Sequence, residues 1–421
     1  MLDIRLLRED SSAVKTRLAT RSSHFADLVD QILAIDARRR ESETRVQQLR
    51  AERNRLSKEI GNIKKSGGDS TALETQVKAF ATEMEELGHT AAVLDSEQRD
   101  LLLRVPNLPA PGLPEGSDAS ANLAIRHWGE PSTKTTEDHV SIGERLGLFD
   151  LERAAKISGS GYVLFTGTGA RLERALINFL LDLQTNSHGY TEIAPPVLVK
   201  RDCMEGTGQL PKFEDDMYGF DEGVSFLTPT AEVSLTNIYR EEILSESQLP
   251  IKLTACTPCF RREAGAAGRE SRGMIRMHQF DKVELVKITT PDQAATERES
   301  LSSDAEKLLQ LLQLPYRVLE LCTGDIGFSA ARTYDLEVWA PGQGAYLEVS
   351  SCSHFGDYQA RRMNLRYKNA EGKNQFCHTL NGSGTALPRL YVALLETHTQ
   401  PSGPFILPEP LQPYFGVAQI G

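Results

Sequence analysis

Residues Phe260 to Glu284, FRREAGAAGRESRGMIRMHQFDKVE, read as two strands joined by a loop rich in Gly, Arg and Ser. Successive side chains of a strand point to opposite faces, so Arg261 and Glu263 share one face and Arg262 takes the other. Beyond the loop the same alternation puts Arg276, Phe280 and Glu284 on a common face, provided no bulge interrupts the strand. A guanidinium forks onto phosphate, a phenyl ring stacks on a base, and a carboxylate accepts from an ammonium or a hydroxyl. Such a row suits a nucleotide joined to something small and polar. Glu284 stands between Val283 and Leu285 and shares its face with Val286 and Ile288, so its carboxylate needs a partner. The competing reading is an antiparallel hairpin with ordinary charged cross-strand pairs.

At 421 residues the chain exceeds one ordinary domain. No apolar run reaches membrane-spanning length, and the start, MLDIRLLRED, carries acids where a signal peptide is basic and then apolar. No membrane partner and a cytoplasmic location are therefore expected. Six scattered cysteines suit reduced thiols, and the CxxC of Cys256 and Cys259 has no second pair, so no structural zinc is expected. The net charge of −11 means that a nucleic-acid partner would have to meet a local basic surface.

Toward the N-terminus, Leu28, Ile32, Ile35, Val46, Leu49, Leu56, Ile60 and Ile63 follow an alternating four-three spacing, with Arg39, Ser42 and Arg53 in the polar gaps. Lys64 to Asp69 interrupts it, and the spacing resumes from Leu73 to Leu101. Two helices joined by so short a turn run antiparallel, and each is on the order of 50 Å long, more than a globular domain needs. The first is crowded with Arg and Lys, the second with Glu and Asp. A basic edge suits the phosphate backbone of A-form RNA; charges paired across a solvated coiled coil explain it equally well.

Residues 1–104 are thus expected to form a helical domain whose arm spans about 28–101, 105–116 a proline-rich linker, and 117–421 the catalytic domain. Helices are predicted around Asp138–Ala155, over Gly169–Leu183 and over Asp292–Leu314, and another after Gly382-Ser383-Gly384. Strand alternation dominates from Phe226 to Ile288 and recurs at Tyr316–Leu321, Tyr334–Trp339 and Tyr346–Ser351, with Arg361–Tyr367 extending the sheet. Strands with helices outside the alternation predict an α+β domain on an antiparallel sheet. No phosphate-binding Walker loop or dinucleotide-binding glycine motif precedes a helix, so a bound nucleotide must be held by another fold.

Phe260-Arg261-Arg262-Glu263, the loop after it, the strand to Glu284, and Gly382-Ser383-Gly384 followed by Arg389 resemble motifs 2 and 3 of a class II aminoacyl-tRNA synthetase, with motif 1 at Gly189–Val199. Thr230-Ala231-Glu232, Gly208 to Lys212, Glu348-Val349-Ser350-Ser351, His378 to Ser383 and the helical hairpin resemble the bacterial seryl-tRNA synthetase family over essentially the whole chain. The resemblance implies ATP held by Arg261, Arg262, Glu263, Met277, Phe280, Glu348, Val349, Ser350, Ser351 and Arg389. It implies Mg²⁺ at Glu348 and Ser351, and L-serine met by Thr230, Ala231, Glu232, Arg276, Glu284, Asn381 and Ser383. Arg261, Glu348 and Arg389 would be the catalytic residues. It further implies ligation of serine to tRNA(Ser) and tRNA(Sec) by a homodimer.

Ser351 lies on the opposite strand parity from Glu348, so a bend or bulge is required between them. His354, Ser234 and Thr385 depart from the family pattern, which leaves fine geometry open. Two rivals keep the core: a ligase that loads a carrier protein, against which the hairpin counts, and a silent paralogue, against which Arg261, Glu284, Glu348 and Arg389 count. A coiled-coil scaffold explains residues 28–101 and nothing after them.

Overall fold

The computed structural model describes residues 1–132, 137–264 and 273–421. The predicted Gly, Arg and Ser loop falls mainly on 265–272 and lies outside the described residues. The chain divides into two units, Leu2–Val105 and, in the main, Pro106–Gly421.

In the first unit α1 (His24–Lys65) packs against α2 (Thr71–Arg104). Asp36 meets Gln98, Arg45 meets Glu83 and Lys64 meets Glu74, so partners descend one helix as they climb the other, which is antiparallel packing. The seam buries Val29, Ile32, Asp36, Ser42, Leu49 and Leu56 against Leu94, Gln98 and Leu102. The expected seam residues Leu28 and Ile35 are each displaced by their next neighbour. Asp36 is the reason. Its carboxylate accepts two hydrogen bonds from Arg8 at 2.7 and 2.8 Å and one from Gln98 at 3.0 Å, partnerships that hydrophobic spacing alone does not reveal. Burial would raise its pKa, but the bonds from Arg8 and Gln98 outweigh it and hold the group at about 2.

The second unit is built on eight strands: β1 (Leu123–Trp128), β2 (Thr191–Glu192), β3 (Ile251–Phe260), β4 (Gln279–Thr289), β5 (Tyr316–Glu320), β6 (Arg332–Ala340), β7 (Ala345–Gly356) and β8 (His378–Ala386). Their order is β1-β5-β6-β7-β8-β4-β3-β2, antiparallel throughout except at the edge, where the two-residue β2 joins β3 in parallel. Helices α3 (Gly167–Ser187), α5 (Ala294–Leu311) and α6 (Leu387–His398) contribute Leu172, Leu176, Leu301, Leu308, Leu390 and Leu394 to a core over Val283, Leu285, Val318, Leu336 and Leu380. Each such side chain contributes about 1.5–3 kcal/mol of hydrophobic stabilisation. The alternate residues of β4 (Phe280, Lys282, Glu284) therefore face away from these helices, where α4 (Ala231–Thr236) packs its Ala231 and Leu235 on Leu253, Ala255 and Val286.

Three expectations change. The helix around Asp138–Ala155 is two helices, His139–Leu146 and Leu151–Ser158, because Gly147 ends the first with φ of 65°. Within the stretch expected to be strand-like, Thr230 caps α4 by accepting from the Glu232 amide. Arg361–Tyr367 does not extend the main sheet: Tyr358–Met363 is helical, Asn364 reverses the chain at φ of 54°, and Arg366–Lys368 pairs in a small separate sheet.

Candidate active site

A cavity of about 480 Å³ opens on the β4 face that carries Phe280 and Lys282, with the first turn of α6 at its edge. Thr230, Glu232, Arg261, Glu263, Arg276, Met277, Phe280, Glu348, Val349, Ser351, Asn381, Ser383 and Arg389 line it, all of them sequence-predicted. Strand β4 begins only at Gln279, so Arg276 and Met277 reach the cavity from the irregular segment before it rather than by strand parity.

Acids gather at one end. Glu284 is fully buried and does not itself line the cavity, whereas Thr230, Lys282, Asn381 and Ser383 around it do. Its Oε1 accepts from Asn381 Nδ2 at 2.9 Å and its Oε2 from the Thr230 hydroxyl at 3.2 Å, while Lys282 closes an ion pair with it. Ser383 stands opposite Glu284 in the β8–β4 register. Glu232 accepts from Gln359 Nε2 at 2.7 Å, and Gln359 is fixed in turn by the Thr379 hydroxyl. Burial, then the nearby Glu284 charge, pushes the Glu232 carboxyl up to about 7.

Cations and the aromatic plate gather at the other end. Arg261 lies over the Phe280 ring at 5.4 Å and donates to the Pro229 carbonyl, and Arg276 pairs with Glu263, whose φ of 52° turns its carboxylate back toward it. Arg389, in the first turn of α6, donates from Nε to the Ile275 carbonyl at 3.1 Å and from Nη1 to the Glu348 carbonyl at 2.8 Å. The bulge that Ser351 required is present. Glu337 pairs with Glu348 and Leu336 with Ser350, leaving Val349 as the extra residue, so Glu348 and Ser351 both face the cavity. Behind them Asp335 is hydrogen-bonded to Ser351, and its Oδ1 has no hydrogen-bond partner among the described residues. Burial and then the Glu348 charge raise its pKa well above the carboxylate range. No cluster of three or more His, Cys, Asp or Glu poised for a metal occurs among the described residues. Even so, the Glu348 carboxylate and Ser351 hydroxyl are the hard oxygen donors that Mg²⁺ takes alongside phosphate and water.

Four predicted residues do not line the cavity: Glu284, buried behind the wall, and three more. Arg262 is exposed just beyond the end of β3 at Phe260, where strand parity no longer applies, and donates its amide to the Asp216 carbonyl. Ala231 is buried against β3 and β4. Ser350 is buried and donates its hydroxyl to the Ser383 carbonyl at 2.7 Å, so it buttresses the wall from behind. Lys282 went unnoticed although it shares parity with Phe280 and Glu284. Gln359 had no signal, because it lies between the expected strands Tyr346–Ser351 and Arg361–Tyr367, on a helix that neither expectation foresaw. The family departures stay off the cavity wall: His354 meets His378 at 3.1 Å, the Ser234 hydroxyl donates to the Pro196 carbonyl, and Thr385 is buried beside a register shift in β8.

Residues 218–398 match the family model for the tRNA synthetase class II core domain (G, H, P, S and T), so the antiparallel sheet that carries this cavity is a class II aminoacyl-tRNA synthetase core. Residues 1–109 match the seryl-tRNA synthetase N-terminal domain. The serine–tRNA ligase of Akkermansia muciniphila is 59% identical over 417 residues, covering 99% of this chain and 98% of that one. The seryl-tRNA synthetase of Pyrococcus horikoshii, solved in complex with ATP, superposes with a TM-score of 0.95 at 36% identity, covering 100% of this chain and 99% of that one. The cytoplasmic serine–tRNA ligase of Naegleria fowleri, in complex with AMP, gives 0.90 at 27% identity over 100% and 98%. The chain belongs to the seryl-tRNA synthetase family.

Proposed function

We propose how this chain, an ATP-dependent serine–tRNA ligase by family, uses its cavity to activate L-serine and pass it to tRNA. The serine ammonium meets Thr230 and Glu232, its hydroxyl meets Glu284 and Ser383 with Asn381 alongside, and its carboxylate is drawn to Arg276 and Arg261. Adenine stacks on Phe280 against Met277, Arg261 holds the α-phosphate, Glu263 completes the nucleotide site, and Arg389 reaches the γ-phosphate. A Mg²⁺ held by Glu348 and Ser351 would neutralise phosphate charge there.

A serine carboxylate oxygen attacks the α-phosphorus in line, and the bond to pyrophosphate breaks. A terminal ribose hydroxyl of the tRNA then attacks the seryl-adenylate carbonyl, and AMP leaves. Alignment and charge neutralisation supply the acceleration in the first step, without a protein nucleophile. Selectivity follows from burial, since alanine would leave the Glu284 and Ser383 polar groups unpaired.

The observation that carries this reading is the convergence of Arg261, Arg389 and the wall groups bonded to Glu284 on a single cavity. Glu284→Ala is expected to abolish serine-dependent ATP–pyrophosphate exchange while ATP still binds; unchanged exchange overturns the assignment.

The helical hairpin serves tRNA. Arg38, Arg40, Arg50, Lys58 and Lys65 are exposed on α1, while Arg45 and Lys64 are paired across to α2. Those exposed charges meet the backbone of tRNA(Ser), and of tRNA(Sec), with strong salt dependence. The working form is a cytoplasmic homodimer. Among the described residues no helix is long and apolar enough to cross a membrane.

A further inference from the structure

Among the described residues, Lys282 joins Arg261, Arg276 and Arg389 as a cation on the cavity wall. It is 5% exposed, lines the cavity wall, and sits two residues from both Phe280 and Glu284 on the same face of β4, about 7 Å along the strand from each. Its ammonium donates to the Thr230 hydroxyl oxygen at 2.7 Å and forms the ion pair with Glu284. The Thr230 hydroxyl in turn donates its proton to Glu284 Oε2, so lysine, threonine and glutamate form a closed ring.

The other cations on the wall are committed elsewhere: Arg261 to Phe280 and the Pro229 carbonyl, Arg276 to Glu263, and Arg389 to Ile275 and Glu348. Among the described residues Lys282 alone forms an ion pair with Glu284, while the buried Glu232 feels the charges of both Lys282 and Arg261. An arriving ammonium brings a further cation to the two acids. Without Lys282, Glu284 loses its ion-pair partner and the substrate ammonium is drawn between both carboxylates. An unpaired Glu284 carboxylate is costly to keep buried in place, and once it turns away it is no longer a fixed acceptor for a substrate hydroxyl.

We propose that Lys282 is a positioning residue that determines amino-acid specificity: its ammonium holds Glu284 and Thr230 in the arrangement that receives serine, and it acts through them rather than on the nucleotide. The inference rests on serine occupying this pocket. It differs from a merely structural role in what it moves. Recognition of the amino acid should suffer while recognition of ATP is spared.

The test uses the full-length enzyme in ATP–pyrophosphate exchange, with serine and alanine as alternative substrates, for Lys282→Met, Lys282→Ala and Lys282→Arg. Loss of a charge-assisted hydrogen bond from a buried pair is expected to raise the KM for serine about 30-fold and shrink the serine-to-alanine preference about tenfold, with the KM for ATP moving less than about threefold. Lys282→Arg should recover part of the serine KM. Because the residue lines an open cavity, ethylammonium added to Lys282→Ala should restore serine use in proportion to its concentration. Parental serine KM and preference in Lys282→Met overturn the proposal. So does a joint fall in ATP and serine parameters with no response to ethylammonium, which marks a structural role. Glu284→Ala measured in parallel separates the premise from the inference. If that variant still exchanges, the pocket itself is misassigned and the Lys282 proposal falls with it; if it is inactive while the Lys282 variants match the parent, Lys282 alone is misread.

Discussion

Lowering the pH from 8 to 6 should weaken capture of serine while leaving capture of ATP untouched. Glu232 is buried at the cavity wall, and burial first, then the Glu284 charge, brings its carboxyl to about 7 despite the Gln359 hydrogen bond and the Lys282 and Arg261 charges. Only the carboxylate form pairs with an ammonium. With the pKa at about 7, roughly nine-tenths of Glu232 is ionised at pH 8 and one-tenth at pH 6, so kcat/KM for serine should fall about tenfold, equivalent to about 1.4 kcal/mol. The substrate's own ammonium only gains charge as the pH falls, so it cannot produce the loss. Arginines do not titrate in this range, so with ATP supplied as its magnesium complex, whose terminal phosphate stays ionised, kcat/KM for ATP should stay flat. Pyrophosphate exchange from pH 5.5 to 8.5, with each substrate varied in turn, measures both. Glu232→Gln should give a low, level serine profile. A flat serine profile in the parent, or the parental limb surviving in Glu232→Gln, refutes the reasoning.

Other outcomes follow from the same geometry. Phe280→Ala removes the plate expected under adenine and should raise the KM for ATP by about tenfold or more, since base stacking on an aromatic contributes about 1–3 kcal/mol; unchanged ATP kinetics would place the base elsewhere. Replacing residues 29–101 by a short bridge should preserve pyrophosphate exchange and abolish tRNA charging, and charging at full rate would make the arm a structural or partner-docking element. Asp36→Ala should cost the helical unit about 2 kcal/mol, at the low side of a broken buried pair because Arg8 still reaches solvent, and thermal unfolding of the full chain reads it. Because the folded pKa of Asp36 is depressed to about 2 from 3.8, its contribution is present above 3.8 and disappears as the pH falls through about 2.

Strand parity carried the sequence reading where a strand was regular, and failed where one began late or gained a residue. Phe280 and Glu284 were legible because β4 is unbroken from Gln279. Lys282 obeys the same parity, and it was missed because a lysine between two expected ligands looks like an ordinary charged strand residue. The Val349 bulge could be demanded from Glu348 and Ser351 but not located, because a bulge has no residue signature of its own. Asp36 shows the matching limit for helices: a seam position is set by burial, and a carboxylate earns burial only through Arg8 and Gln98, one on another helix and the other 62 residues along the chain. Gln359 was hidden on a helix of six residues, too short for an apolar period to show, whose second half was expected to be strand.

The single carboxylate in the hairpin seam also constrains how such an arm can vary in length. Asp36 locks to Gln98 near the open end, so residues added beyond them are free of that lock but must still keep apolar side chains inward. An insertion of one residue on each strand of the hairpin rotates everything distal by about 100°, whereas seven on each restores the facing. Reach is thereby quantised in steps of about 10 Å, and a lineage that lengthens or shortens the arm is confined to whole heptads measured from that acid.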